Sequence, residues 1–374
     1  MPLVDSRICR LAEVLIHYSL GVQPGDLVAI HSTYGALPLL NEVYRQTLRA
    51  GGHPEFRLDL DDAHEIFLKE ANDAQLQFVS PIARLVNERY DCLLYIDAES
   101  NTNRLSRSNP EREATFTRTY DELSTLWSQR ASQGLMRWCY TQFPTEAYAQ
   151  DAHMSLDEYC EFVFNAGMLN TPDPIASWQE MAIRQQRLIS WLRGRKQVRI
   201  TGRETDLTLS IEGRSFLGCN GHKNFPDGEI YSSPVEESAQ GTITFNLPTT
   251  YNSRAVDGVR LRFEQGRVVE ASATVGEAYL QSMLNLDEGA RRIGEFSFGT
   301  NYGIKEATCN VLFDEKIGGT LHMALGRSYP ESGGLNLSAL HWDMVYDLRQ
   351  QGEVLVDGEL FLKDGNYTVL ENQL

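Results

Sequence analysis

The pattern of apolar residues changes near Lys196, and that change limits the chain to two differently built halves. Before it, helical and extended stretches alternate. Ile8, Leu11, Val14, Leu15 and Tyr18 repeat at helical spacing, Gly21 and Pro24-Gly25-Asp26 close the element, and Leu27-Val28-Ala29-Ile30 reads as a short buried strand. Leu39 to Leu48 predicts a second amphipathic helix, stopped by Gly51-Gly52 and followed by a strand over Phe56-Arg57-Leu58-Asp59-Leu60. A helix over 73–90 leads into Cys92-Leu93-Leu94-Tyr95-Ile96, and Arg137-Trp138-Cys139-Tyr140 gives a fourth strand. Such alternation predicts a parallel sheet flanked by helices, an α/β domain. From Ser155 to about Arg195 the pattern is mainly helical. Trp178, Met181, Ala182, Leu188, Ile189 and Leu192 share one face, interrupted by Gln185.

After Lys196 short strands take over. Val198-Arg199-Ile200, Leu207-Thr208-Leu209 and Thr242-Ile243-Thr244-Phe245 are extended, and Glu264-Gln265-Gly266 turns a hairpin between 258–263 and 268–273. Asp357-Gly358 and Asp364-Gly365 are strong hairpin turns between the last three strands. The expected boundary falls at about 190–197. It separates an α/β N-terminal domain (1–195) from an α+β, mainly antiparallel β catalytic domain (196–374) with one helix near Val275–Ile293. A length of 374 residues suits two domains.

The charge narrows the partners. With 51 acidic against 34 basic residues the chain carries −17, which disfavours nucleic acid and anionic membrane and tolerates metal ions and free amines. No apolar run is long enough for a membrane helix, and MPLVDSRICRLAEV lacks the apolar centre of a signal peptide. The six cysteines are scattered without a CxxC pair, as in a reduced cytoplasmic protein.

Several catalytic signatures fail. There is no GxGxxG and no GxxxxGK[ST]. His64-Glu65-Ile66-Phe67-Leu68 lacks the second histidine of a zinc-protease helix, and Gly213-Arg214-Ser215-Phe216-Leu217 lacks the last glycine of a nucleophile elbow. The C-terminal half is richer. His322 lies in the apolar run Thr320–Gly326, and His341 and Asp343 alternate with apolar residues, so both point to one face of a strand. Glu229 and Glu295 each follow a glycine and lead an extended apolar stretch. Three carboxylates and two imidazoles suit a pair of ions sharing a bridging carboxylate, with zinc, cobalt, manganese and magnesium all compatible. Taken singly, the same residues also fit a core histidine, solvated acids and a surface ion pair.

These segments resemble the thermophilic-type metallo-aminopeptidase family, that of aminopeptidases T and S. The resemblance runs nearly end to end: Glu13–Asp26 is similar to the family's opening helix and turn, and Ser155–Pro174 to its mid-chain helical segment. The discriminating part is Gly228-Glu229-Ile230-Tyr231, Gly294-Glu295 with Gly299-Thr300-Asn301, His322 with Gly326–Pro330, and His341-Trp342-Asp343, all in family order. Tyr231-Ser232-Ser233 departs from the commoner Phe-Thr-Ala wording, which touches the substrate pocket rather than the ligand.

The resemblance implies a hydrolase removing N-terminal residues from peptides, with two divalent ions per chain, as a homodimer. It implies Glu229, Glu295, His322, His341 and Asp343 as metal ligands and Tyr329 as a group at the reaction centre, and the chemistry of the site adds Glu295 to Tyr329 as a catalytic group. Glu295 would bridge ions or manage a proton, and Tyr329 would hydrogen-bond the developing oxyanion. Two other readings stay open: a related metallohydrolase acting on another amide, and a non-catalytic α/β binding protein. His222 is kept as a possible pocket residue, Arg327 as an exposed arginine, and Cys309 as a buried thiol.

Overall fold

The computed structural model describes residues 5–252 and 254–371. The chain divides into two compact units, one comprising Met1–Ile175 with Gly221–Pro226 and the other Ala176–Asn220 with Asp227–Leu374.

The first unit is α/β. Its five strands are all parallel, in the order His53–Asp59, Leu27–Thr33, Cys92–Asp97, Arg137–Gln142 and Asn224–Phe225. Val28, Ala29, Ile30, Leu94 and Ile96 are buried, as strands covered on both faces require. The opening helix is α-helical over Ser6–Glu13, where the Asp5 side chain accepts from the Arg7 N–H. It then widens into a π-helical segment, Val14–Ser19, before Gly21 turns the chain with φ 55°. The helix expected over 73–90 is two pieces, Asp73–Leu76 and Pro81–Arg89. Pro81 has no N–H to continue a helix and disfavours helical backbone at Ser80, so it starts a new one instead.

The second unit is α+β and mainly antiparallel. One eight-stranded sheet runs Arg267–Ser272, Arg260–Glu264, Gln240–Thr244, Thr205–Ser210, Gln197–Gly202, Glu353–Val356, Glu359–Lys363, Asn366–Tyr367. Its tight turns carry the positive φ their sequences suggested: 48° and 74° at Gln265-Gly266, 52° and 82° at Asp357-Gly358, 45° and 78° at Asp364-Gly365. A five-stranded antiparallel sheet follows the order His341–Asp347, Thr320–Gly326, Ile293–Gly299, Glu229–Ser232, Leu217–Cys219. One apolar core joins both sheets, from Ile200, Leu207 and Ile243 on the larger to Phe296, Met323 and Trp342 on the smaller.

The helix Pro174–Leu192 belongs to this unit from Ala176 onward. Gln185, which interrupts its apolar face, is buried because its amide donates to the Cys219 carbonyl at 2.8 Å and to the Thr300 hydroxyl at 3.1 Å. The expected helix near 275–293 is shorter, Glu277–Leu284, with a 3-10 turn at Gly289–Arg291. Among the described residues, no helix is long and apolar enough to cross a membrane.

Candidate metal centre

Side chains alternate along a strand, so one face of the five-stranded sheet can be apolar and the other polar. Ile230, Phe296, Phe298, Met323, Trp342 and Met344 face the core. Their neighbours point the other way, and the register aligns them: Tyr231 opposite Ser297, Ser297 opposite His322, Glu295 opposite Ala324, Ala324 opposite Asp343. Glu229, Glu295, His322, His341 and Asp343 therefore converge, from four neighbouring strands. The two glycines before the acids have a steric cause. A Cβ at Gly294 would collide with the carbonyl oxygens of Gly326 and Arg327, and one at Gly228, where φ is 128°, would press on Asn301.

The distances are short and regular. His322 Nε2 lies 3.4 Å from Glu229 Oε2, 3.5 Å from Glu295 Oε1 and 3.9 Å from Asp343 Oδ1. His341 Nε2 lies 3.4 Å from Glu295 Oε2 and 3.6 Å from Asp343 Oδ2. Glu295 thus offers one oxygen to each imidazole, and so does Asp343. Each ring is held by its other nitrogen: His322 Nδ1 is 3.2 Å from the Glu315 carbonyl oxygen and His341 Nδ1 is 2.9 Å from that of Arg327. An Nδ1–H donated to a carbonyl fixes the tautomer with Nε2 directed at the carboxylates.

Charge and burial shift the titration of the cluster. Glu229 is 5% exposed, Glu295 4% and His322 1%. Burial raises the carboxyls of Glu229 and Asp343. Burial would also raise Glu295, but pairing with His322 and His341 holds it at about 2. The imidazoles respond in kind: burial would lower both, yet Glu295 and its neighbouring carboxylates lift His322 to about 10 and His341 to about 9.

Residues that no motif marks complete the surroundings. Lys316 is 2% exposed, with its ammonium 3.3 Å from Glu229 Oε1 and paired with Glu315. Ser297 donates to the other Glu229 oxygen at 2.8 Å. Glu315 also brings a carboxylate oxygen within 4.8 Å of ligand atoms of Glu229 and His322, and the Cys219 sulfur and an Asp227 carboxylate oxygen lie as close to a Glu229 oxygen. No motif marks these residues. The one available sign is that Glu315-Lys316 is followed by the apolar, glycine-bounded run that carries His322.

Tyr329 stands at the rim. Its hydroxyl is 3.4 Å from His341 Nε2 and its ring meets Tyr231 edge-on at 5.2 Å. Burial, then the charges of Glu295 and Asp343, raise its phenol well above the ordinary value, so it keeps its proton. Arg327 is exposed, with Nε donating to the Ser338 carbonyl at 3.1 Å. His222 stacks on Tyr18 at 4.4 Å in the first unit. Cys309 corrects an expectation, since it is exposed rather than buried. The buried member of that pair is Thr308, whose N–H and hydroxyl both reach the Asp314 carboxylate, leaving Cys309 at an outward turn with φ 59°.

The family model for thermophilic metalloprotease (M29) matches residues 4–367 of this chain. The chain belongs to that family. Aminopeptidase 2 of Geobacillus stearothermophilus is 25% identical over 408 aligned residues, covering 97% of this chain and 98% of the relative. Aminopeptidase T of Thermus thermophilus is 31% identical over 189 residues, 46% of this chain and 45% of that one. The solved structure of wild-type AmpT from Thermus thermophilus shares the fold, with a TM-score of 0.83 at 22% identity over 97% of this chain and 99% of that one.

As an M29 metalloprotease the chain is a peptidase hydrolase that works with a divalent metal, and its residues fit such an ion. The imidazole-to-carboxylate separations exceed the reach of a good hydrogen bond. Two ligand atoms each about 2.1 Å from a tetrahedral ion lie about 3.4 Å apart, which is the spacing seen around both Nε2 atoms. His322 Nε2 and Asp343 Oδ1 are buried with no hydrogen-bond partner. An orphaned nitrogen facing an orphaned carboxylate oxygen is what an interposed cation satisfies.

Proposed function

We propose that this M29 member is an aminopeptidase that removes N-terminal residues from peptides at a pair of divalent ions. Glu229, Glu295, His322, His341 and Asp343 are the ligands in this reading. The observation carrying it is Glu295, which turns one oxygen to His322 and the other to His341. A carboxylate so presented would serve two ions, which Glu229, His322, His341 and Asp343 would help to hold. Zinc, cobalt, manganese and magnesium all suit nitrogen and oxygen donors. When bound, such ions polarise the scissile carbonyl and make water acidic enough to attack near neutral pH.

The chain's own groups do the rest. Glu295, held ionised by two imidazoles, is ready to hold a cation without first losing a proton. Tyr329, kept protonated, donates a hydrogen bond where negative charge develops on the substrate oxygen. Acidic walls favour a free N-terminal ammonium over a blocked one. The names of the relatives, aminopeptidase 2 and aminopeptidase T, agree with this substrate class. The reading includes a homodimer working in the cytoplasm, which sedimentation and cell fractionation test.

The direct experiment is hydrolysis of aminoacyl amides and short peptides after loading with Zn²⁺, Co²⁺, Mn²⁺ or Mg²⁺, with N-acetylated peptides as the control. Release of the first residue from free but not acetylated termini is expected. No hydrolysis with any of these metals, or equal hydrolysis of acetylated peptides, overturns the proposal.

A further inference from the structure

A small cavity opens beside the ligand cluster, wholly within the second unit. It has a volume of about 160 Å³ and is bounded by His341, Asp343 and Glu315 on the side of the cluster. Thr249, Thr250, Tyr251, Cys309, Val311 and Val345 form much of the rest of its wall. Among the described residues no lysine or arginine lines it, and Asp314, a further acid in its wall, is already engaged by Thr308.

Both sides of the cavity are fixed. On one, the Thr249 hydroxyl donates to the Asp343 carbonyl at 2.8 Å and accepts from the Trp342 indole at 3.1 Å. Tyr251 stacks on Trp342 at 5.3 Å. This ties the Thr249–Tyr251 strand to the strand carrying His341 and Asp343. On the other side, Asp314 holds Thr308, and the Asn310 side chain accepts from the Leu312 N–H, which sets Cys309 and Val311. A cavity held in place before binding selects by shape.

We propose that this cavity receives the side chain of the substrate's N-terminal residue, and that it takes side chains other than aspartate and glutamate, up to the size of a single aromatic ring. The inference rests on the aminopeptidase reading above. An exopeptidase needs an enclosed place for the terminal residue, whereas the remaining peptide must run out to solvent. A cavity of about 150 Å³ accommodates benzene, so about 160 Å³ admits leucine or phenylalanine and is too small for an indole. The acids on the cluster side face the free ammonium and repel aspartate and glutamate side chains. Thr250 and Val311 are exposed at the cavity wall and set its usable width.

The test compares kcat/KM for phenylalanyl and alanyl p-nitroanilides in the metal-loaded wild type and in Thr250→Trp and Val311→Trp. The phenylalanyl-to-alanyl ratio should fall at least about tenfold in one or both variants, within the range a hydrophobic pocket discriminates. An unchanged ratio refutes the pocket while leaving the aminopeptidase reading intact. A change that tracks the second residue of dipeptides instead of the first also refutes it. A readout independent of turnover uses Cys309: L-phenylalaninol should slow its alkylation by iodoacetamide several-fold, measured by peptide mass spectrometry, while ethanolamine, which lacks the side chain, should not. Equal rates with the two amines overturn the proposal even if the enzyme proves inactive on every substrate.

Discussion

The Lys316 ammonium lies 3.3 Å from Oε1 of Glu229, and both side chains are almost wholly excluded from solvent. Removing one partner from such a pair leaves the other charge stranded, at a cost of about 3–5 kcal/mol. Lys316→Met should therefore lower the melting temperature by several degrees, measured by calorimetry on the metal-stripped protein. Combining it with Glu229→Gln should recover part of the loss, since only Glu315 then lacks its cation. A double variant as unstable as the sum of the singles would mean that the pair does not couple.

Glu295 faces both imidazoles, so Glu295→Gln should disrupt the whole centre and not one half of it. Metal bound per chain, measured by mass spectrometry of the dialysed protein, should fall, and kcat/KM should drop by at least about a hundredfold. The far-ultraviolet circular dichroism should hardly change, because Glu295 packs against polar groups and not against the core. Full activity in this variant would remove Glu295 from the mechanism.

Much of this centre is legible before any coordinates exist. Glu229, Glu295, His322, His341 and Asp343 each stand in an apolar extended run, where a polar residue is conspicuous and strand alternation fixes its face. Glu315 and Lys316 escape notice for the opposite reason. They follow Asp314 in a charged triplet that reads as a solvated turn, and only tertiary packing after the short Val311–Asp314 helix buries them. The parallel sheet and the hairpins follow from local pattern. The break at Pro81 and the π-helical widening at Val14–Ser19 depend on single residues and on packing, which periodicity averages away. Cys309 shows the same limit, because an apolar-looking neighbourhood does not reveal that Asp314 draws Thr308 inward in its place.

Tyr329 meets the cluster at His341, with its hydroxyl 3.4 Å from Nε2 and its ring edge-on at 5.3 Å. Tyr329→Phe keeps the ring and its edge-on contact with Tyr231. If the hydroxyl serves the transition state, kcat should fall by about 10²–10³ with KM nearly unchanged. Steady-state kinetics on one aminoacyl amide decide it, and wild-type rates would reduce Tyr329 to packing.

Stripping the metal should expose the histidine protons. His322 and His341 are raised from 6.5 to about 10 and about 9. The stability they contribute to the metal-stripped protein is fully present below pH 6.5 and lost as pH rises through 9 to 10. Melting temperatures of chelator-treated protein should therefore decline over that window while metal-loaded protein declines less. Loading with metal at pH 7 should release protons, and apparent affinity should rise with pH, because the ligands must give up those protons. Calorimetric titration in buffers of different ionisation heat measures the release. Binding without proton release would contradict the assignment of both imidazoles as ligands.

The strands bearing Glu229, Glu295, His322 and the His341/Asp343 pair lie side by side in the same succession in which the chain is made. Translation must therefore pass Asp343 before the donor set exists, and every earlier truncation lacks at least one donor. On the proposed ligand set, hydrolytic capacity is withheld from a nascent polypeptide that has not yet passed Asp343, so such a copy poses no threat to the free N-termini of the proteins emerging around it.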